Sequence, residues 1–334
     1  MTPATLGTPN LDTPSAAALE SFWTCQQDRL AELLATAVPS GSSVALLDYP
    51  VHGNTGDHLI WLGTERWLGT IGATVVGRWH VDNFPYPQFP ADTILLCQGG
   101  GNFGDIYRFQ RFRERVIHAY PGHRIVMLPQ TIHYRDPARL RHSAEALARH
   151  PDLWLFVRDH RSLAIAADAF AGARPQLASD MAAFLFPVAE TLGCALPRAP
   201  SRDVLNFFRR DRERTSMPAH DSIDWDHIDP QHRLFVLGAI ATGFLFGKLI
   251  PAGYASRYWL DFCHGRVIRA ATLVADHRTV ITNRMHCHIL ASLLGVPNVV
   301  FDNSYGKCSA YFEAWHTELP FTRLATVGPG ETSS

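Results

Sequence analysis

"SVALLDYPVHGNTGDHLIWLGTERWLG", residues 43–69, changes its hydrophobic period part-way through. "SVALLDYP" is a short, nearly continuous apolar run, the pattern of a strand covered on both faces. "VHGNTGD" is polar and glycine-bearing, the composition of a loop. From His58 the apolar residues return at helical spacing, so "HLIWLGTERWLG" predicts a helix. Strand, loop and helix at this spacing form the first part of a βαβ unit.

The pattern recurs along the chain. "ATVVGRW" (73–79), "DTILLCQ" (92–98), "RIVMLPQ" (124–130) and "LWLFVRD" (153–159) predict further strands. "GGGNFGD" (99–105) predicts a second post-strand loop, and "IYRFQRFRERVIHAY" (106–120) the helix after it. A second series follows, with strands in "DVLNFFRR" (203–210), "VITN" (280–283) and "PNVVFDN" (297–303), and a helix in "RMHCHILASLLG" (284–295). The fold class expected is α/β, with two Rossmann-like domains facing a cleft. The boundaries place a tail and leading helix at 1–40, an N-terminal domain at 41–200, a C-terminal domain at 201–326 and a tail at 327–334. The Pro-rich "ALPRAPSR" (195–202) marks the junction, and the polar segment 211–233 predicts a loop.

The chain's 334 residues suffice for two domains of ordinary size. Hydrophobic residues make up 46% and charged residues 18%, and the net charge of −1 gives no broad electrostatic case for nucleic acid as a partner. The six cysteines form no CxxC pair, which fits reduced thiols in the cytoplasm. The Thr/Pro-rich start lacks the basic and apolar regions of a signal peptide and predicts a loose tail. No run has membrane-spanning length; the nearest, "LFVLGAIATGFLFG" (234–247), suits a buried core segment or a surface touching the bilayer.

In open α/β sheets ligands bind beyond the carboxyl ends of the strands. Two loops expected there share a G-N-x-G-D pattern: Gly53 to Asp57, and Gly101 to Asp105. Their glycines allow close backbone approach, and their Asn and Asp side chains can cap a helix or bind hydroxyls. His52, Asn54, Asp57, Gly100, Gly101 and Asn102 are therefore candidates for lining a ligand site. Neither loop matches the dinucleotide pattern G-x-G-x-x-G. "FVRDHRS" puts Arg158 at a strand end and Asp159 at a helix N-cap, with a surface ion pair as the alternative role for Arg158.

"TNRMHCHILASLLGVP" (282–297) sets an arginine and a histidine at the start of an apolar helix. Thr282 or Asn283 is the expected N-cap, and Arg284, Met285 and His286 the first turn. Free N–H groups, the helix dipole and Arg284 together make an anion site, and His286 adds a group that moves protons near neutral pH. His286 and His288 stand two apart, so they diverge around the helix and suit a metal poorly. Asp302, Asn303, Ser304, Gly306 and Lys307 follow the next strand, and Lys307 is one of only two lysines in the chain.

Taken in order, "HGNTGDHLIW", "CQGGGNFGDIY", "LPQTIHY", "VRDHRS", "SDMAAFLFP", "TNRMHCHILASLLGVP" and "DNSYGKCSAYFEAW" resemble the polysaccharide pyruvyl transferase family, over about residues 44–316. The family pattern T-D-R-L-H-G is replaced here by Thr282-Asn283-Arg284-Met285-His286-Cys287; Cys for Gly narrows the room beside the helix. The resemblance implies a fold similar to GT-B glycosyltransferases. It also implies transfer of pyruvate from phosphoenolpyruvate to two hydroxyls of one sugar, as a cyclic ketal, with no cofactor. It places phosphoenolpyruvate against Arg158, Arg284, Met285 and His286, with Asn303 and Lys307 close by. His286 is the candidate general acid for the vinyl carbon, and Asp57 or Asp105 the base. The implied acceptor is a glycan or lipid-linked oligosaccharide, held by His52, Asn54, Asp57, Gly100, Gly101 and Asn102, which motivates a membrane-touching role for 234–247 at the inner membrane face. The alternatives are a GT-B glycosyltransferase using a nucleotide sugar, in which Asp224-Trp225-Asp226 would serve as a D-x-D metal string, and a non-catalytic sugar-binding module.

Overall fold

The computed structural model describes residues 11–210, 222–228 and 252–325. The apolar run 234–247, with its membrane-surface reading, lies outside the described residues, as does most of the expected loop 211–233.

The chain starts with helix α1 (Ala16–Ala35), capped by the Ser15 side chain. The first sheet then forms from β1 (Ser43–Leu47), β2 (Thr74–Trp79), β3 (Ile94–Cys97), β4 (Gly100–Gly104), β5 (Ile125–His133), β6 (Leu153–Val157) and β7 (Pro175–Leu177). Its order is β2-β1-β3-β5-β6-β7, with β4 also on β5, and every pairing is parallel. The crossovers carry α2 (Thr55–Thr70), α3 (Phe109–Ala119), α4 (Pro137–Ala148) and α5 (His160–Ala169). β1, β3 and β6 are almost wholly buried, as their unbroken apolar runs require. A short 3-10 helix (Met181–Leu185) and α6 (Val188–Thr191) lead out of this sheet.

The second sheet contains β8 (Arg202–Phe207), β9 (His277–Thr282), β10 (Asn298–Phe301) and β11 (Thr322–Ala325), in the order β11-β10-β9-β8 and again parallel. Its described helices are α7 (Ala252–Ala275), α8 (Met285–Leu293) and α9 (Lys307–Trp315). Two parallel α/β sheets thus stand as the strand runs indicate, while β7, β11 and the long α7 have no counterpart in that reading.

The sheets share a core. One hydrophobic cluster joins Trp23 and Leu34 of α1, Leu59 and Trp61 of α2, Val267 and Ala270 of α7, and Ile289 and Leu290 of α8. Helix α1, although first in sequence, reaches the second half through the Trp23 indole, which donates to the Ser292 carbonyl at 3.1 Å. The side chain of Trp259 on α7 reaches the other way, donating to the Pro50 carbonyl just after β1. Burial of this much aromatic surface, at about 25 cal/mol per Å², holds the strand ends of the two sheets at fixed separation.

One expectation is overturned here. The second G-N-x-G-D segment is not a loop: Gly100–Gly104 is strand β4, paired with β5. Gly104 adopts φ +148°, and a Cβ there would stand 1.8 Å from the His133 carbonyl oxygen. Glycine in this segment serves strand-to-strand contact rather than a turn.

Candidate active site

Because both sheets are parallel, the helix-starting loops collect at the carboxyl ends of their strands. A pocket of about 410 Å³ opens there, walled by both halves. The first half supplies His52, Asn54, Asp57, Gly101 and Asn102. The second supplies Arg284, Met285, His286 and Lys307, joined by Asp224, Trp225 and Asp226.

The first G-N-x-G-D segment builds the start of α2. Asn54 is the N-cap: its Oδ1 accepts from the Gly56 N–H at 3.1 Å, while its Nδ2 donates to Asp57 Oδ2 at 3.0 Å. His52 Nε2 lies 3.4 Å from the same Asp57 oxygen. Asp57 is thus a nearly buried carboxylate held at the pocket wall by two polar neighbours. Gly100, at φ +126°, keeps space beside it: a Cβ there would sit 3.6 Å from Asp57 Oδ1.

At α8 the cap differs from expectation. Arg284 occupies the N-cap position, and its N–H is received by Thr282 Oγ1 at 2.9 Å. Asn283 turns away, accepting from the Arg209 N–H at 2.7 Å. Arg284 is not an unopposed cation either. Its Nε donates to Asp224 Oδ1 at 2.8 Å and its Nη2 to Asp224 Oδ2, a bidentate pair with little solvent access. Asp224 also caps the turn Trp225–His227 and accepts from the Arg210 N–H at 3.0 Å. With its lone pairs so committed, Asp224 is poorly placed to hold a metal. Among the described residues no group of three His, Cys, Asp or Glu side chains could hold one.

His286 faces the pocket, whereas His288 faces the core and bonds Asn298 and His316, so the two do diverge. The His286 Nε2 lies 3.3 Å from Asp180 Oδ2 and 3.4 Å from Arg158 Nη1. Its ring packs over Gly56: a Cβ on that glycine would meet His286 Nδ1 at 2.6 Å. Burial lowers the proton affinity of His286, the Asp180 carboxylate opposes that, and the Arg158 charge adds to it.

Arg158 follows β6 and is fully buried. Its Nε donates to Thr131 Oγ1 at 2.9 Å and its Nη1 to Asp180, so it is no surface ion pair. The burial of Asp180 would raise its pKa, but Arg158 and His286 outweigh that and hold the carboxyl far below its usual range. Among the described residues, Nη2 of Arg158 is buried with no hydrogen-bond partner. Beside it, the Lys307 ammonium lies over Gly101, where a Cβ would stand 2.3 Å from Lys307 Nζ and 3.5 Å from Arg158 Nη2.

Four named candidates do not line the pocket: Arg158, fully buried beside it, Gly100, Asp105 and Asn303. Asp105 lies beyond β4, and its carboxylate accepts from the backbone N–H groups of Arg135 and Asp136 at 2.8–3.0 Å. It secures a neighbouring loop because strand β4 carries it past the site. Asn303 accepts from the Lys307 N–H at 2.8 Å and so places Lys307 rather than lining the pocket. Sequence reasoning assigned no role to Asp180, although it lies in the quoted "SDMAAFLFP". It also missed Arg266 of α7, which donates to the carbonyls of Gly53 and Trp225, each at 2.9 Å, and ties the two walls together. Arg209, Arg210, Tyr107 and Phe109 complete the missed lining.

Two parallel α/β sheets carry a cationic, histidine-bearing pocket at their strand ends, and comparison with known proteins supplies the class. The family model for polysaccharide pyruvyl transferase matches residues 54–305, and the chain belongs to that family. It is 36% identical over 301 residues to the putative pyruvyl transferase EpsO of Bacillus subtilis (strain 168), covering 87% of this chain and 91% of that protein. It is 27% identical over 317 residues to pyruvyl transferase 1 of Schizosaccharomyces pombe, covering 90% and 76%. A crystal structure of a functionally uncharacterised protein from Klebsiella pneumoniae shares the fold, with a TM-score of 0.63 at 19% identity over 90% of this chain and 99% of that one.

Proposed function

We propose that this enzyme moves pyruvate from phosphoenolpyruvate onto two hydroxyls of one sugar in a glycan or lipid-linked oligosaccharide, closing a cyclic ketal. The observation that carries the donor reading is the buried Arg158 Nη2, without an acceptor, beside the Lys307 ammonium over Gly101. A buried N–H donor without a partner among the described residues is costly until an acceptor arrives, and the Lys307 charge beside it favours an anionic one. Phosphoenolpyruvate brings two anionic groups. The second meets the N-terminus of α8, where Met285 and His286 present first-turn N–H groups. Gly101, assigned from sequence to the acceptor, then belongs to the donor.

In the empty pocket burial keeps His286 neutral. The donor's negative charge raises its proton affinity, so donor and proton bind together. The imidazolium protonates the vinyl carbon, which becomes the methyl group. The carbon bearing phosphate gains oxocarbenium character and is attacked by one sugar hydroxyl, whose proton passes to Asp57. The carbon–oxygen bond to phosphate breaks, and the second hydroxyl closes the ketal. Asp57 hands the first hydroxyl's proton to the departing phosphate, and the second hydroxyl's proton restores His286, so the carboxylate and the imidazolium are both regenerated. No step requires a cofactor.

Calorimetric titration with phosphoenolpyruvate tests the donor. Lys307→Met should weaken binding by roughly tenfold or more, the scale of one charge-assisted bond. Unchanged affinity would remove the seat. Binding of a nucleotide sugar in place of phosphoenolpyruvate would favour ordinary glycosyl transfer.

A further inference from the structure

Asp180 is the fully buried residue at which the cation and the acid of this site meet. It follows β7 and caps the 3-10 helix Met181–Leu185, with Oδ1 accepting from the Ala182 N–H at 2.9 Å. The turn therefore fixes the carboxylate plane and leaves Oδ2 to face Arg158 Nη1 and His286 Nε2. An arginine N–H can only donate. When His286 is neutral, its Nε2 lone pair can accept from Arg158 Nη1, and the ring proton resides on Nδ1. When His286 is charged, Nε2 carries a proton that Arg158 cannot receive and Asp180 can. Nδ1, over Gly56 at the start of α2, lies on the side of the ring away from this pair.

We propose that Asp180 is a positioning residue for the transfer: it turns Arg158 so that Nη2 meets the donor's anion, and it holds the Nε2 proton of the charged His286, so that the proton given to the vinyl carbon leaves from Nδ1. The inference rests on His286 being the acid of the proposed reaction. The other groups acting on this centre are Asp57 of α2, which favours the charged imidazole, and Tyr311 and His316 from α9 and its end, which interact with Asp180. Tyr311 bonds the Asp180 backbone, leaving Oδ2 as the acceptor that His286 meets. The arrangement has the logic of a carboxylate that orients a catalytic imidazole while remaining ionised throughout.

The full-length enzyme labelled with ¹⁵N-histidine gives the direct test by NMR. Without donor, the His286 ring should be neutral with its proton on Nδ1; with saturating phosphoenolpyruvate both nitrogens should be protonated. Asp180→Asn, nearly isosteric, should lower kcat on the order of 10²-fold or more and also raise KM for phosphoenolpyruvate, because Arg158 loses the carboxylate that aims it. It should also shift the high-pH limb of kcat to lower pH, because the charge favouring imidazolium is gone. A merely structural Asp180 would lower the amount of folded enzyme and leave that limb where it was. A folded Asp180→Asn enzyme with unchanged kcat and pH limb would overturn the proposal. So would a ring that stays neutral with saturating phosphoenolpyruvate, which needs no variant to detect. Failure of phosphoenolpyruvate to bind, with the ring proton still on Nδ1, would sink the donor reading and leave the positioning geometry standing.

Discussion

Arg284 and His286 are adjacent but one residue apart, yet they do different work. His286 faces Asp180 and Arg158, and His286→Asn should lower kcat by roughly 10²–10⁴-fold while donor affinity, measured by calorimetry, stays within a few-fold. Near-normal turnover would show that the ring only packs. Arg284 is clamped to Asp224 and fixes the Trp225–Asp226 wall. Asp224→Asn removes the carboxylate paired with this buried guanidinium, and urea unfolding should show a loss of roughly 3–5 kcal/mol. Rules of helix termini make both residues legible, since a cation and a histidine at a helix start are local features. Their partners are not local: Asp224 is 60 residues from Arg284 and Asp180 is 106 from His286, separations that no sequence period encodes.

Helix α2 shows what glycine does at the level of an element. Gly56 and Gly63 lie on faces of α2 that other elements approach closely. A Cβ at Gly56 would meet the His286 ring, whereas one at Gly63 would meet the Met181 carbonyl oxygen at 2.0 Å. Relief at Gly56 displaces the His286 side chain from its Cβ outward, 2.9 Å away, whereas at Gly63 the clash is with backbone. Gly56→Ala should therefore cost turnover more than stability, and Gly63→Ala should destabilise by roughly 1–3 kcal/mol, the cost of overpacking. Thermal melting and kcat measured on both variants separate the two effects. The strands and helices around α2 were legible because each carries its own hydrophobic period. The similarity of its loop to Gly101–Asp105 misled, because β4 is a strand by virtue of β5, and pairing is a property of two segments rather than one. Helix α7 escaped for a related reason: its role is to carry Trp259 and Arg266 across to the first half.

At the scale of the molecule, the shared core joins both sheets and buries several histidines in the neutral state. Burial depresses His288 and His80 to about 4, and lowers His58 and His316 well below the ordinary value. The unfolded chain takes up these protons near pH 6.5, before the folded chain does. Stability is therefore fully present above about pH 6.5 and falls as pH drops toward 4, by about 1.4 kcal/mol per pH unit for each such histidine. Melting curves at pH 7.5 and 5.5 should show the decline, and His288→Gln should shallow its slope. Among the described residues no helix is long and apolar enough to cross a membrane. The two-sheet architecture was readable from strand spacing; the way both halves build one pocket was not, because it depends on α1 and α7 crossing between them. The central claim is that this pocket takes phosphoenolpyruvate with a proton. Calorimetric titration of the full-length enzyme at pH 7.5, repeated in buffers of different ionisation enthalpy, measures both at once. The account predicts one donor bound per pocket with net proton uptake, and loss of that uptake in His286→Asn. Binding without proton uptake, or no binding at all, would contradict it.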